Sequence, residues 1–217
     1  LIQLGENPKT IFNFGSLGAY STKHMKLFNK IELEKKYDIK FNKKIILVTF
    51  HPVTLEKNQS KFQILNLIKF LNTLKNKMII ITSPNFDNES KNIKSEILNF
   101  VKKKDNVYFY KSLGNKDYLS FMKIADLLVG NSSSGVLETP YFGTKTINIG
   151  NRQKGRIISN NIINSNYEFQ SILNAYLKIK KKPKKKSSIF LKSNTPLKIA
   201  KKILTFRFNI KKEFYDI

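Results

Sequence analysis

The sequence predicts an α/β protein with a doubly wound parallel sheet, on the basis of three observations. Five short apolar segments of the kind that form buried strands occur between residues 45 and 149. Segments with apolar residues three or four positions apart, typical of helices, separate them. Polar or small residues follow four of the five apolar segments. Nearly continuous apolar strands that alternate with helices are typical of a parallel sheet covered on both faces.

The elements can be placed in order along the chain. The predicted strands are runs of Ile, Leu, Val, Met, Phe and Tyr, at residues 45–50, 78–82, 107–110, 126–129 and 145–149. The predicted helices have helical apolar periodicity, and they lie within residues 62–74, 93–101, 118–125 and 135–141. A last helix is predicted over 196–206, with Thr195 as its cap and Pro196 in its first turn. The lysine run 178–186, which Pro183 interrupts, is interpreted as a solvated loop.

Polar residues at the strand ends predict a binding site. His51 follows the first strand, Leu113 and Gly114 follow the third, and Arg152 follows the fifth. The segment 130–135, Gly-Asn-Ser-Ser-Ser-Gly, follows the fourth. In a parallel sheet, ligands bind beyond the carboxyl ends of the strands. The sequence therefore predicts one crevice that these residues share.

The serine-rich segment and Glu138 fit a nucleotide. Small residues let a ligand approach the backbone, and the helix that follows offers free N–H groups and the positive end of its dipole to a phosphate. Glu138 lies about one helical turn downstream and can accept hydrogen bonds from two ribose hydroxyls. The alternatives are a polar turn capped by serine and an exposed helix carboxylate.

Arg152 and His51 are the charged and titratable candidates. Only three of the 40 basic residues are arginine, and Arg152 and Arg156 are two of them. A guanidinium at Arg152 can clamp diphosphate oxygens with two hydrogen bonds, although a surface arginine is the alternative. His51 can act as acid, base or phosphate donor, or can be a structural residue at a strand end. No metal-ligand cluster or P-loop is present, so neither a metal nor a cofactor is predicted.

The formal net charge of +25 raises the alternative of a nucleic-acid-binding protein. Lysine accounts for almost all of this charge, whereas phosphate recognition favours the planar guanidinium of arginine. We therefore expect no nucleic-acid partner. No apolar run is long enough to cross a membrane, so no membrane association is expected. With no cysteine, the expected location is the cytoplasm.

Taken together, the motifs resemble the hydrolysing UDP-N-acetylglucosamine 2-epimerases of sialic acid biosynthesis. The matching segments occur in the family's order, and they are residues 2–6 (Ile-Gln-Leu-Gly-Glu), 15–18 (Gly-Ser-Leu-Gly), 48–54 (Val-Thr-Phe-His-Pro-Val-Thr), 130–135 with Glu138, and 148–156 (Asn-Ile-Gly-Asn-Arg-Gln-Lys-Gly-Arg). The C-terminal residues 211–216 (Lys-Lys-Glu-Phe-Tyr-Asp) also resemble the family's ending.

The resemblance implies two Rossmann-like domains arranged as in the B-type glycosyltransferases, with substrate between them. Residues 21–195 would form the C-terminal, nucleotide-binding domain. Residues 1–20 would end the N-terminal domain, and 196–217 would form a helix that packs back on it. Because the family's catalytic carboxylates precede this region, we expect the sequence to be a fragment that binds UDP weakly and is inactive alone.

The resemblance also implies a role for each candidate residue. Ser132 and Ser133 would hold the diphosphate, and Glu138 would hold the ribose. Arg152 would face the diphosphate and the sugar, and Leu113 would hold the uracil through its backbone.

Two further residues would lie near the sugar. Gly15 would lie on the sugar side, near the crossing between the domains. His51 would act where diphosphate and sugar join, by protonating the leaving phosphate.

The implied reaction converts UDP-N-acetylglucosamine and water into N-acetylmannosamine and UDP, through a 2-acetamidoglucal and without a cofactor. Full-length family members tend to form homo-oligomers. Residues 51–54 (His-Pro-Val-Thr) favour the hydrolysing type. The alternatives are a non-hydrolysing 2-epimerase and a hydrolysing epimerase of a diacetamido-trideoxy sugar nucleotide.

Overall fold

The computed structural model, which describes residues 1–187, 189–207, 211 and 213–216, contains a six-stranded parallel sheet. The strand order is β3-β2-β1-β4-β5-β6. The strands are β1 (Lys44–Thr49), β2 (Lys77–Thr82), β3 (Val107–Tyr110), β4 (Leu127–Gly130), β5 (Lys145–Ile149) and β6 (Ile162–Ser165).

Helices connect the strands and flank the sheet. They are α1 (Leu17–His24), α2 (Lys30–Tyr37), α3 (Ser60–Thr73), α4 (Ser90–Val101), α5 (Gly114–Ile124), α6 (Ser134–Leu137), α7 (Thr139–Phe142), α8 (Phe169–Lys181) and α9 (Thr195–Thr205). Within the described residues, no helix combines the length and the apolar character needed to cross a membrane.

The core lies on both faces of the sheet because side chains alternate along each strand. Ile46 and Val48 of β1 pack in a cluster with residues of α3, α4 and α8. Ile45 and Leu47 pack on the opposite face, with residues of α2 and α5. A parallel sheet buried on both faces explains why β1 is apolar at consecutive positions. The predicted doubly wound fold is confirmed.

After β3 the chain crosses back over the sheet, and β4 pairs with β1 on the side opposite to β2. Gly130, the last residue of β4, has φ 148°. A Cβ atom on Gly130 would lie 1.9 Å from the carbonyl oxygen of Thr49 in β1. The N–H of Asn131 donates to that same oxygen at 3.2 Å. Glycine at this position therefore brings the loops after β1 and β4 side by side.

All five predicted strands are present, but the sequence interpretation did not identify β6 or α8. β6 has two apolar residues, and only Ile162 and Ser165 are buried, because the strand lies at the edge of the sheet. In α8 the buried residues Ile172, Ala175 and Ile179 lie three and four positions apart, which is the spacing of one helix face. The lysines in its last turn were instead assigned to the lysine run 178–186.

The interpretation of residues 178–186 as a solvated loop is wrong for its first part. Residues 178–181 form the last turn of α8, and the side chain of Ile179 is buried. After the helix, the ammonium groups of Lys182 and Lys184 donate to the carbonyl oxygens of Asn160 at 2.9 Å and Ala125 at 3.1 Å. Part of the run therefore has a structural role, which a nucleic-acid-binding arm would not require.

The predicted cap of the last helix is also wrong. Asn194 occupies the N-cap position, with φ 54°, and its side chain makes no capping hydrogen bond. The buried hydroxyl of Thr195 donates instead to the carbonyl oxygens of Phe14 at 2.7 Å and Lys192 at 3.0 Å. Thr195 thus ties α9 to the N-terminal segment. Of the C-terminal residues matched above, Lys212 lies outside the described residues, as do 208–210 and 217.

Replacing Gly130 by alanine is expected to lower the free energy of unfolding by more than about 3 kcal/mol, because the new methyl group would overlap the β1 backbone. Gly114→Ala is the control, since Gly114 also has positive φ but no atom within 4 Å of its Cβ position. It should cost about 1 kcal/mol. Denaturant unfolding measures both, and equal losses would contradict the close approach of β4 to β1.

Candidate functional site

Asn131 joins the loops that follow β1 and β4. Its side-chain oxygen accepts a hydrogen bond from the main-chain N–H of His51 at 2.7 Å, and its side-chain nitrogen donates to the carbonyl oxygen of His51, also at 2.7 Å. Asn131 is fully buried. This pair of hydrogen bonds fixes the backbone of His51 at the carboxyl edge of the sheet.

A third loop fixes the imidazole ring of His51. Nδ1 accepts a hydrogen bond from the main-chain N–H of Asn85, in the loop after β2, at 3.0 Å. An acceptor nitrogen carries no proton, so the neutral ring holds its hydrogen on Nε2. Burial and, to a smaller degree, the positive charge of Arg152 lower the pKa of His51 to about 4, although Asp87 opposes the shift. His51 is therefore a neutral hydrogen-bond donor at pH 7.

The loop after β5 joins the same centre through the main-chain oxygen of Asn131. This oxygen accepts from the Arg152 guanidinium at 3.3 Å and from the side-chain amide of Gln153 at 2.8 Å. Gln153 is buried, whereas Arg152 is only partly buried. The guanidinium is thus held at the edge of the crevice with part of its surface accessible to an anion.

A row of hydroxyl groups lies beneath the serine-rich segment. The Ser134 hydroxyl donates to Oγ of Ser132 at 3.0 Å and lies 2.7 Å from the Tyr118 hydroxyl. Tyr118 in turn lies 3.1 Å from Oγ1 of Thr49, which is 2.9 Å from Oγ1 of Thr82. The Ser134 hydroxyl donates to Ser132, whereas either oxygen can be the donor in the other three pairs, and the Thr82 hydroxyl also lies 3.5 Å from the carbonyl oxygen of Val48.

Ser132 ends this row at the surface of the crevice. Its oxygen accepts from the Ser134 hydroxyl and from the Ser134 N–H, at 3.0 and 3.4 Å. Its own hydroxyl hydrogen can then donate to a ligand. The neighbouring Tyr118 stays protonated, because burial raises the pKa of its phenol.

The expected helix dipole is weaker than the sequence suggested. α6, which follows the serines, has only four residues before Glu138 separates it from α7. A single turn sums few peptide dipoles, so local N–H and hydroxyl groups are the main donors here. Ser133 occupies the N-cap position without a capping contact from its side chain. Gly135 allows close packing, since its Cβ position lies 3.0 Å from Cδ2 of Leu128 in β4.

Glu138 is a partly buried residue whose carboxyl group faces α1. Its Oε1 atom lies 3.1 Å from the Cβ position of Gly18, and its Oε2 atom is buried without a partner among the described residues. Burial raises the pKa of Glu138 to about 7, while its own backbone N–H and Arg156 act in the opposite direction. A ligand with two hydroxyl donors would satisfy this carboxylate.

The structure brings four of the seven candidate residues together and places the other three further away. His51, Ser132, Ser133 and Arg152 follow the adjacent strands β1, β4 and β5. His51 and Arg152 are hydrogen-bonded to Asn131, which directly precedes the two serines. Glu138 lies just beyond, between α6 and α7.

Gly15 and Leu113 lie further out. Gly15 has φ 89° and packs on Lys192, while Gly18, three residues further on, faces Glu138. Leu113 precedes α5 after β3, and β2 separates β3 from β1. The side chain of Leu113 belongs to the core.

Sequence reasoning did not assign roles to Asn85, Asn131, Gln153 or Tyr118. Asn85 follows β2, so applying the strand-end rule to every strand would have identified it. Asn131 and Gln153 lay inside quoted motifs, yet nothing in the sequence shows that their amides bridge three loops. Nothing in the sequence distinguishes Tyr118 from the other residues of its predicted amphipathic helix.

Comparisons with known proteins support a common family. The family model for UDP-N-acetylglucosamine 2-epimerase matches residues 1–204. The GDP/UDP-N,N'-diacetylbacillosamine 2-epimerase (hydrolyzing) of Campylobacter jejuni is 42% identical over 183 residues, which are 84% of this chain and 47% of that protein. Polysialic acid biosynthesis protein P7 of Escherichia coli is 35% identical over 227 residues, covering 100% of this chain and 57% of that protein.

The fold is also found among solved structures. The S. aureus MnaA–UDP co-structure aligns with a TM-score of 0.70 at 14% identity, over 93% of this chain and 55% of that one. At this identity the alignment supports the fold. The chain spans about half the length of the curated relatives it matches.

Nuclear magnetic resonance should find the His51 ring with its proton on Nε2 at pH 7 and a titration midpoint near 4. Because the unfolded ring binds its proton near pH 6.5, the free energy of unfolding should fall as pH drops from about 6.5 to about 4. A His51→Gln variant should lose this part of the pH dependence. Because the chain has two histidines, a His24→Gln variant identifies which resonances belong to His24 and which to His51. A midpoint near 6.5 for His51 would contradict the Asn85 contact.

Replacing Glu138 by glutamine should stabilise the protein at pH 8 by about 1–2 kcal/mol. The unfolded carboxyl ionises near pH 4.5 and the folded one near 7, so the wild type loses stability as pH rises through that interval. The gain should disappear below about pH 4.5, and thermal unfolding at both pH values tests this. The exposed Glu213→Gln is the control, and an equal gain there would refute the burial argument.

Proposed function

Because the chain belongs to the UDP-N-acetylglucosamine 2-epimerase family, we propose that it forms the UDP-binding half of a hydrolysing UDP-N-acetylglucosamine 2-epimerase. The observation that carries this proposal is the grouping of His51, Ser132 and Arg152 after β1, β4 and β5, where His51 and Arg152 are hydrogen-bonded to Asn131 and Ser132 follows Asn131 in the chain. The group combines a cation, a hydroxyl and a neutral imidazole donor, which together suit a diphosphate.

The diphosphate contacts follow from the donors available. The Arg152 guanidinium already has one contact, to the main chain of Asn131, which orients its remaining N–H groups. Hydroxyls of Ser132 and Ser133 add neutral donors. Since charge-assisted contacts are stronger than neutral ones, Arg152 should contribute most of the affinity for phosphate.

His51 is proposed to stabilise the leaving UDP by donating a hydrogen bond from Nε2. The Asn85 N–H points at Nδ1, so a second proton there would place two donors face to face. This geometry favours a permanent hydrogen-bond donor over the proton-transfer role expected from the resemblance. Such a donor stabilises negative charge as it develops on the leaving diphosphate.

Glu138 is proposed to bind the ribose hydroxyls. Its carboxylate lacks a described partner at Oε2, and two hydroxyl donors would favour its ionised form. Leu113 is proposed to hold the uracil through its main chain, and Gly15 to lie near the sugar. UDP binding should accordingly be coupled to release of the Glu138 proton near neutral pH.

The proposed reaction has two steps. A base removes the proton from C2 of the sugar while the C1–O bond breaks, which gives UDP and a 2-acetamidoglucal. Water then adds across the double bond, with a proton returning to C2 on the opposite face, to give N-acetylmannosamine. In this proposal the catalytic carboxylates belong to the other half of the enzyme, and the residues described above bind UDP and stabilise it as it leaves.

The assignment of domains is part of the same proposal, with residues 1–20 as the end of the N-terminal domain and the crossing segment, 21–195 as the nucleotide-binding domain and 196–217 as a C-terminal helix that packs back on the N-terminal domain. Helix α9 buries only Thr195, whereas Leu197, Ile203 and Leu204 are exposed by 60% or more. An amphipathic helix with an exposed apolar face suits packing against a second folded unit. Homo-oligomer formation stays a prediction.

A second candidate substrate is a diacetamido-trideoxy sugar nucleotide. The observation that favours it is the 42% identity to the Campylobacter jejuni enzyme, whose name specifies N,N'-diacetylbacillosamine. Assay of the full-length protein with each sugar nucleotide distinguishes the two, and release of UDP without a nucleotide-linked epimer distinguishes hydrolysing from non-hydrolysing chemistry.

Isothermal calorimetry with UDP tests the proposed site. Arg152→Ala should weaken binding by about 1.5–3 kcal/mol, the usual value of a charge-assisted contact. The control is Arg207→Ala, which removes an exposed arginine after α9 and should leave the affinity unchanged. Equal weakening by both variants would indicate non-specific attraction by net charge, and no binding to the wild type would overturn the proposal.

A further inference from the structure

Tyr167 lies between two of the loops that border the candidate site. It follows β6 and is partly buried, with its side chain packed on the core cluster beneath α8. The main-chain N–H of Asn151, the residue directly before Arg152, donates to the Tyr167 hydroxyl at 3.3 Å. The proposed contacts with UDP do not involve Tyr167, although it lies against the loop that carries Arg152.

Gly150 shows how closely the Tyr167 ring approaches this loop. It has φ 74°, and a Cβ atom at this position would lie 2.0 Å from Cζ and 2.1 Å from the hydroxyl oxygen of Tyr167. The N–H of Gly150 donates to the carbonyl oxygen of Ser165, at the end of β6, at 2.7 Å. Only a residue without a side chain fits between the ring and the turn. The loop after β5 therefore rests directly on the phenol of Tyr167.

The direction of the Tyr167 hydrogen bonds follows from its partners. The hydroxyl is hydrogen-bonded to the side chain of Glu56, in the loop after β1. Burial raises the pKa of Tyr167, and the hydrogen bond to Glu56 raises it further, so the phenol stays protonated at neutral pH. A carboxylate can only accept, so the hydroxyl hydrogen is donated to Glu56. The oxygen is then left as an acceptor for the N–H of Asn151.

Glu56 is itself anchored to the body of the fold. Its Oε2 atom accepts a hydrogen bond from Nε2 of Gln63 in α3 at 2.7 Å, and Gln63 is only 2% exposed. Glu56 also lies five residues after His51, in the same loop. The Tyr167 hydroxyl thus connects the loop of His51 to the loop of Arg152, in addition to the contacts that both loops make with Asn131.

This second connection matters because the first one holds Arg152 weakly. The hydrogen bond from the guanidinium to the carbonyl oxygen of Asn131 is long, at 3.3 Å, and Arg152 is only partly buried. The loop before it contains Gly150, a residue type that restricts the backbone little. A guanidinium binds a diphosphate best when its N–H groups are already oriented, since ordering them during binding reduces the affinity.

We infer that Tyr167 is a positioning residue for Arg152, which uses its hydrogen bond to Glu56 to fix the Asn151 peptide and thereby the direction of the guanidinium. The inference rests on the proposed function, because it requires Arg152 to bind the diphosphate of UDP. Tyr167 acts through Arg152 and does not touch the phosphate. Loss of its hydroxyl should therefore affect UDP binding only while Arg152 is present.

A double-mutant cycle measured by calorimetry with UDP tests this dependence. Tyr167→Phe keeps the ring that packs on Gly150 but removes the hydroxyl, and it should weaken UDP binding about 3–10-fold, the value of roughly one hydrogen bond. In the Arg152→Ala background the same change should weaken binding by less than about twofold. Tyr176→Phe is the matched control, since Tyr176 on α8 packs on the same core cluster, and it should leave the affinity unchanged.

Glu56→Leu tests the connection from its other end without altering the ring. It removes the acceptor of the Tyr167 hydroxyl, so it should also weaken UDP binding and should add little to the effect of Tyr167→Phe. Thermal unfolding of each variant shows that it is folded. Failure of the wild type to bind UDP would overturn the proposed function and this inference with it. UDP binding that Arg152→Ala weakens but Tyr167→Phe does not, or a Tyr167→Phe loss that is equally large without Arg152, would overturn the positioning role alone.

Discussion

The candidate site depends on the buried residue Asn131, which makes four hydrogen bonds with the loops after β1 and β5. Its side chain pairs with the main chain of His51, while its carbonyl oxygen accepts from Arg152 and Gln153. Asn131 can take this position only because Gly130 lets β4 approach Thr49 of β1. A backbone constraint in the sheet thus determines where a cation and an imidazole lie with respect to each other.

Much of the fold and part of the site could be predicted from the sequence, for physical reasons. Strands buried on both faces are apolar at consecutive positions, and the ends of parallel strands share one edge, so His51 and Arg152 could be expected to be neighbours. β6 and α8 were not identified, because an edge strand needs few apolar residues and the last turn of α8 was interpreted as part of a solvated lysine loop. The tautomer of His51 depends on the main-chain N–H of Asn85, which has no signature in the sequence.

Glu138 and Asn148 each show how a buried polar group can lower folding stability and yet favour ligand binding. Each holds a buried oxygen without a hydrogen-bond partner among the described residues. Such groups cost stability in the unbound protein, because folding removes their water without providing a donor. The same groups become favourable when a ligand supplies the donor, so that ligand binding and folding stability are linked. Glu138 lies between α6 and α7, and Asn148 lies near the end of β5.

The hydroxyl row from Thr82 to Ser132 has a consequence for how the protein distinguishes its ligand from other anions. With a net charge of +25, its surface attracts polyanions of every kind, and dissolved salt screens that attraction. The row is formally neutral, and a ligand would meet the Ser132 hydroxyl at direct hydrogen-bond distance, where dissolved salt screens little. Its contribution to anion binding is therefore almost insensitive to ionic strength. At the salt concentration of a cell, the crevice would retain a preference for its ligand while non-specific attachment to the lysine surface weakens.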